Sequence, residues 1–305
     1  MKKLLLLLFL LPFITIAQEY VDLFKIEYGN TFNSTFKNTN SNTDIKSFKA
    51  DLTLPLVLNE NNAIITGIDF RFNSLQLFPE TSYTSLYSTT LKLGVSSTLS
   101  NIWSTTIVLL PKIASNYKQI SSDDFYLGGL ALLKFKKNEN LKYKIGVYAS
   151  SEAFGIFTTP VIGAYYLSSN KRFEIDASLP ISADLNYSFG KISLGFNYFA
   201  NARSFNIKEE NLPSLYVEQS PIEFSSYIQF SIVDNILLKA KVGYTSNNYE
   251  AYSKNDDVDF RISAFSFGDD RVQLNPELSG GMFLKFEVVY RFHIHNNQGK
   301  KQLEN

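Results

Sequence analysis

The stretch Gly280–Ile294 reads GGMFLKFEVVYRFHI. Every second residue from Met282 is apolar: Met282, Leu284, Phe286, Val288, Tyr290, Phe292. The intervening positions carry Lys285, Glu287 and Arg291, with Phe283 and Val289 among them. Successive side chains of an extended strand leave opposite faces, so this is a strand with one wholly apolar face and one charged face.

The same two-faced pattern recurs along the chain. SFKADLTLPL sets Phe48, Ala50, Leu52, Leu54 and Leu56 against Lys49, Asp51 and Thr53. IITGIDFRF sets Ile64, Ile68, Phe70 and Phe72 against Gly67, Asp69 and Arg71. STTLKLGVSS, LKYKIGVYAS, ISLGFNYFAN, IEFSSYIQFSI and ILLKAKVGY alternate likewise. No segment sustains a period near 3.6, and capping boxes do not recur, so helices are not expected. A soluble β-sandwich would also bury one face of each strand, but its strands average about 5–6 residues. Here the runs approach the roughly 9–11 residues that cross a bilayer as a tilted strand. Gly29, Gly67, Gly94, Gly128, Gly146, Gly195 and Gly243 all share the polar face. The apolar face is therefore expected to meet lipid and the polar face a lumen, with closure removing every unpaired edge.

Connections alternate in length as well. Short polar turns at Asn59–Asn62, Leu99–Asn101, Asn138–Asn140, Ser168–Arg172 and Asp234–Asn235 interleave with longer stretches. The longer ones include Lys37–Thr43, Phe78–Ser85, Asn116–Asp123, Asn206–Ser220 and Tyr249–Gly280. Short turns on one side and long loops on the other are the pattern of outer-membrane barrels. The expected fold is all-β: a transmembrane, antiparallel, up-and-down β-barrel of about fourteen strands, with twelve to sixteen admissible. Phe173–Phe189 is read either as one long strand kinked at Pro180 or as two short strands joined there. In the first case Val258–Phe267 would supply the missing strand.

The chain begins MKKLLLLLFLLPFITIAQ: two lysines, an apolar run from Leu4 to Ile16, then Ala17. That order is the pattern of a secretory signal peptide, residues 1–17, cut after Ala17. The apolar run is shorter than the roughly 20 residues of a spanning helix. Residues 18–293 would then be the barrel, and 294–305 a polar periplasmic tail. There is no cysteine, which excludes disulfides, a lipidated cysteine, thiolate metal sites and thiol nucleophiles. Lys+Arg and Asp+Glu both number 29, so there is no basic excess to suit a nucleic-acid partner. The 26 Phe and 18 Tyr suit strands and the lipid–water boundary.

The last strand, ending VVYRF, resembles the C-terminal signal that the barrel-assembly machinery reads, with Tyr290 and Phe292 as its aromatics. It departs from that signal because HIHNNQGKKQLEN follows. With the leader, Gln18 at the mature start and the Leu179–Pro180 interruption, the whole chain resembles uncharacterised outer-membrane β-barrel families of Bacteroidota, known as domains of unknown function. That resemblance brings no active site.

The charges of the polar face form the candidate functional set. Lys49, Asp51, Asp69, Arg71, Lys92, Lys142, Lys144, Glu223, Lys239, Lys241, Lys285, Glu287 and Arg291 are expected to face the lumen, as are Lys25, Glu27, Glu174, Asp176 and Asp184. One Lys or Arg at mid-depth on the lipid face would cost roughly 2–4 kcal/mol, so confinement to the other face follows for any barrel. Two readings stay open: a charged constriction that filters solutes, or a lumen cross-braced by ion pairs and partly plugged.

No catalytic residue, metal site or cofactor is expected. His293 and His295 are the only histidines, both at or beyond the end of the last strand, with no third metal ligand to name. A Ser–His hydrolase would need its histidine beside a serine. The loop acids Glu209, Glu210, Asp256, Asp257, Asp259, Asp269 and Asp270 lack a calcium-loop frame. The expected partners are outer-membrane lipid, the barrel-assembly machinery and small solutes. The leading reading is passive or weakly selective passage of small hydrophilic solutes. A closed structural or surface-binding barrel is the alternative. A fatty-acid-type transporter of hydrophobic compounds is a third, although too few residues precede the first strand for that family's N-terminal hatch.

Overall fold

A computed structural model describes residues 20–208 and 214–293. The leader, the tail, His295, Glu209 and Glu210 lie outside the described residues. The chain is all-β, with a closed antiparallel barrel. Its wall strands are β1 (Tyr20–Thr35), β2 (Asn42–Val57), β3 (Asn62–Leu75), β4 (Thr84–Thr98), β5 (Trp103–Ser115), β6 (Phe125–Lys136), β7 (Leu141–Glu152) and β8 (Gly155–Leu167). They continue through β9 (Phe173–Leu179), β10 (Ser182–Ser188), β11 (Ile192–Ala200), β14 (Ile222–Val233), β15 (Ile236–Thr245) and β19 (Gly281–His293). Each pairs antiparallel with the next, and β19 closes on β1 from Tyr20↔His293 to Phe32↔Met282. The wall thus has 14 strands. The Pro180 alternatives resolve in favour of two short strands, β9 and β10, joined through residues 180–181.

Side-chain alternation sets the two surfaces. On β19, Met282 and Phe286 are both 55% exposed, while Phe283 is 2% and Val289 0% exposed. The outer surface is apolar around the wall, with Leu93 (β4), Leu109 (β5), Ile145 (β7), Ile162 (β8), Leu194 (β11) and Val242 (β15) all exposed. Aromatic rows cross neighbouring strands on it. Trp103, Phe135 and Tyr143 line up on β5–β7, and Phe48, Phe70 and Tyr87 on β2–β4. This is the surface a hydrocarbon layer requires, flanked by rings that suit its boundary.

Both ends of the described chain and the short turns lie at one end of the barrel, here the terminal end; the long connections lie at the other, the loop end. Two of those connections do not stay outside. β12 (Arg203–Ile207), β13 (Leu215–Gln219) and β16 (Tyr249–Ser253) pair in the order β12–β13–β16. This small sheet sits inside the mouth, where every residue of β12 is buried. One face packs Phe205, Val217 and Ala251 against Phe36, Leu75, Leu86 and Ala114 of the loop-end wall and connections. The other face sets Tyr216 and Tyr252 against Phe154, Phe157 and Val258. A single parallel bridge, Asn206↔Ser115, ties its edge to β5.

The remaining short strands repair the wall. β9 and β10 have 7 residues each, against 16 in β1 and β2. β8 therefore outruns β9, whose pairing stops at Ile162↔Leu179. Beyond that point β17 (Phe260–Ile262), backed by β18 (Phe265–Phe267), pairs parallel with β8 at Phe157 and Thr158. The segment considered as a spare wall strand is thus a small hairpin covering a notch.

Candidate functional site: a charged chamber under a β-sheet roof

Below the small sheet the lumen holds a chamber of about 510 Å³. It runs from Tyr20, Asp22 and Arg291 at the terminal end to Arg203, Gln219 and Tyr249 on the lower edge of the sheet. Lys49, Arg71, Glu223, Lys239, Lys241, Lys285, Glu287 and Arg291 line it, as do Lys25, Glu27, Glu174, Asp176 and Asp184. Asp51, Asp69, Lys92, Lys142 and Lys144 do not line it, although they stand on the same strand faces.

The charges fall into braces that reach over one strand to the next. On β2–β4, Lys92 Nζ meets Asp51 Oδ1 at 2.7 Å, and Arg71 Nε donates to Asp69 Oδ1 at 2.6 Å. Lys49 stands 3.7 Å from Asp69 and 4.0 Å from Asp51. On the seam side, Lys241 bonds both Glu27 and Glu287 at 2.6 Å, joining β15, β1 and β19. Lys285 reaches Glu223 at 2.6 Å, and Lys239 lies 3.9 Å from Glu287 over the Tyr227 ring. Lys144 pairs with Asp176, and Lys142 rests over the Tyr165 ring. The lumen is thus cross-braced by ion pairs, and four of them, Lys92–Asp51, Lys241–Glu27, Lys285–Glu223 and Lys144–Asp176, link strands that do not touch through their backbones.

Among the described residues, contacts cross the lumen at two levels. Tyr20 on β1 donates its hydroxyl to Glu174 Oε1 on β9 at 2.6 Å. The Arg71 guanidinium on β3 lies 5.9 Å from the Phe199 ring on β11. The first forms a waist at the terminal end, where Arg291 stacks 3.5 Å from the Tyr20 ring and binds Asp22 at 2.6 Å. On the far wall, Gly195 matters because Tyr227 crosses directly over it. A Cβ there would stand 2.2 Å from the tyrosine ring, so only glycine lets the hydroxyl reach Asp184 at 2.8 Å.

The roof is held by buried polar groups that the sequence reading did not single out. Glu152 Oε2, on β7, accepts from both Ser204 N–H at 2.7 Å and Ser204 Oγ at 2.8 Å. Its other oxygen accepts from Lys112 Nζ at 2.6 Å and Ser150 Oγ at 2.7 Å. Glu218 on β13 receives Arg261 and, at 2.9 Å, Arg271. Asn206 donates to the Asp123 carbonyl at 2.7 Å, and Lys208 meets Asp124 at 2.9 Å. The one signal available in sequence was weak: RSFNI, LYVEQ and YEAYS alternate over only a few residues inside stretches that otherwise read as polar loops.

Tyr290 and Phe292 both point outward, 43% and 41% exposed. His293 closes the last strand at the terminal edge, its Nε2 2.9 Å from the Asp234 carbonyl oxygen. Among the described residues no group of three or more His, Asp or Glu side chains is placed to hold a metal ion.

Residues 14–275 match the family described as Domain of unknown function (DUF6268). The chain belongs to that family. No curated protein matches the sequence. Similar solved structures include the COG4313 outer membrane channel from Pseudomonas putida F1, at 10% identity and a TM-score of 0.44, covering 88% of this DUF6268 chain and 94% of that one. OprB of Pseudomonas putida is similar at 9% identity and a TM-score of 0.40, covering 90% and 94%. The NanC porin is similar at 9% identity and a TM-score of 0.36, covering 88% and 98%.

Proposed function

We propose that this is a protein of the bacterial outer membrane whose barrel is a gated conduit for small hydrophilic solutes. In this reading the terminal end faces the periplasm and the loop end faces outward. The observation that carries it is the chamber: a densely charged space of about 510 Å³ between the Tyr20–Glu174 waist and the β12–β13–β16 roof. A barrel with a purely structural lumen has no need of such a space. Its polar lining also suits hydrophilic solutes better than hydrophobic compounds. The roof stands across the outer mouth, so passage requires the small sheet to shift; the conduit is gated. No enzymatic reaction is assigned to it. The chamber holds no histidine, and its carboxylates are engaged with lysines, arginines, tyrosines and amides.

Single-channel recording of the refolded mature chain in a planar bilayer tests this, once heat-modifiable gel mobility shows a folded barrel. Discrete steps are expected, and Arg71→Glu or Lys285→Glu should move the ion preference toward cations. A folded barrel that never passes current would instead favour a closed barrel whose outer surface does the work.

A further inference from the structure

Arg203 is the anomaly of the chamber. It is 8% exposed, lines the space from the roof, and its Nε is buried without a hydrogen-bond partner. Among the described residues no carboxylate lies within 4.0 Å of its guanidinium. The carboxylates nearby are already engaged. Glu152 is fully occupied by Ser204, Lys112 and Ser150, and Asp69 by Arg71. Arg71 and Lys49 line the same chamber, and both share with Arg203 the electrostatic field around Asp69. Lys112 stands in the field of Arg203 and Arg71 as well. Four cations (Lys49, Arg71, Lys112, Arg203) thus face two anions (Asp69, Glu152); Asp51 and Glu27, which also lie in the field of Lys49 and Arg71, are each bonded to a further lysine, Lys92 and Lys241, and add no net charge. A buried guanidinium without a counter-charge is costly, and folds that keep one supply it with an anion.

The neighbouring acceptor points the same way. Gln219 pairs with Arg203 in the β12–β13 register, and its Oε1 is also buried without a partner. Its amide nitrogen is held by Tyr249 Oη at 2.7 Å, so the free oxygen has a fixed direction.

We propose that Arg203, with Arg71 and Lys49, forms a binding site for a small solute bearing a carboxylate or phosphate group, beneath the roof of the chamber. Planar guanidinium forks match such oxyanions with paired hydrogen bonds, and Lys49 adds a point charge. Gln219 Oε1 accepts from a hydroxyl or amine elsewhere on the same solute. The site deepens the conduit reading and rests on it for access to the chamber. It also places the solute against β12, the strand that must move for passage.

Isothermal titration of the refolded mature chain in detergent tests it, with inorganic phosphate and acetate as separate probes. Saturable binding of at least one is expected; whichever binds tells a phosphorylated from a carboxylated solute. Arg203→Met should weaken that binding about tenfold or more. Lys142→Met, off the chamber, should leave it unchanged. Arg203→Lys keeps the charge without the fork, so it should weaken binding to a lesser degree, and it serves if the Met variant does not fold. Failure of both probes to bind the wild type overturns the site. So does equal binding by the Arg203 variants, which marks an adventitious ion only. Binding by a barrel that never conducts would keep the site and remove the conduit. Current without binding would do the reverse.

Discussion

Glu152 on wall strand β7 holds Ser204 of the roof twice, through its backbone N–H at 2.7 Å and its hydroxyl at 2.8 Å. The same carboxylate balances Lys112 at 2.6 Å, with no exposed side-chain surface of its own. One buried group therefore couples wall, roof and charge balance. Glu152→Gln would keep the shape but leave Lys112 uncompensated, and breaking such a pair typically costs about 3–5 kcal/mol. We expect this variant to open far more often in single-channel records than the wild type, and to lose its heat-modified gel form at lower denaturant. Unchanged opening frequency in a folded variant would mean that Glu152 does not hold the gate.

The Tyr20–Glu174 hydrogen bond spans the lumen at the terminal end and narrows it. A hydrogen bond to a charged acceptor contributes about 1.5–3 kcal/mol. Tyr20→Phe removes it without changing the ring. The step size in bilayer recordings should rise, while opening frequency stays as in the wild type. A rise in frequency with no change in step size would place the narrowest point elsewhere.

On β19 the same register offers a contrast between the faces. Val288 is 46% exposed on the outer belt, and Lys285 is 9% exposed on the inner face. Val288→Arg should cost roughly 2–4 kcal/mol in a lipid bilayer, the usual depth-dependent penalty for a charge facing hydrocarbon. Folding titrations in vesicles would show it as a lowered urea midpoint. Phe292, on the same outer face, is also the aromatic of the proposed assembly signal. Phe292→Ala is therefore expected to slow insertion by the assembly machinery more than it lowers the stability of the folded barrel, a difference that pulse-chase assembly and equilibrium unfolding can separate.

Acid should loosen the outer clasp. Asp269 accepts from Arg271 Nε at 2.9 Å and Nη2 at 3.0 Å, while Arg271 also binds Glu218 of the roof at 2.9 Å. The Arg271 hydrogen bonds hold the Asp269 carboxyl below its ordinary 3.8. A carboxyl with a depressed folded-state pKa contributes stability that is present above the unfolded value and lost as pH falls. The contribution should thus be intact above about pH 4 and decline below it. Pepsin cleavage within residues 246–280 is expected to rise between pH 4 and pH 2 more steeply in the wild type than in Asp269→Asn, which has already lost the charge. Parallel profiles for the two proteins would remove Asp269 from the clasp.

The wall was readable from sequence because one rule governs every wall strand. Hydrocarbon outside and polar lumen inside force a period of two, and on the outer face Met282 through Phe292 obey it without exception, while Phe283 and Val289 are the apolar residues of the inner face. Pro180 was readable as an interruption, but not how far the short β9–β10 pair would leave β8 without a partner. The roof was not readable. Phe205, Val217 and Ala251 face wall residues far away in sequence, and their strands have only 5 residues each. Such strands are buried on both faces, so polar residues like Ser204 and Glu218 sit beside apolar ones, and the alternation is too short to betray them. Their partners, Glu152 and Arg261, become visible only once the barrel brings residues 152, 204, 218 and 261 together.

The most direct test of the gated conduit exploits the absence of cysteine and the β-bridge between β12 of the roof and β5 of the wall. Asn206→Cys with Ser115→Cys places two thiols at paired positions on β12 and β5, within the reach of a disulfide. The reduced protein should show discrete conductance steps in a planar bilayer, and the oxidised protein should be silent until reductant restores the steps. Equal current from the oxidised and reduced forms would contradict a gate at the β12–β13–β16 sheet, and a folded barrel silent in both forms would contradict the conduit itself.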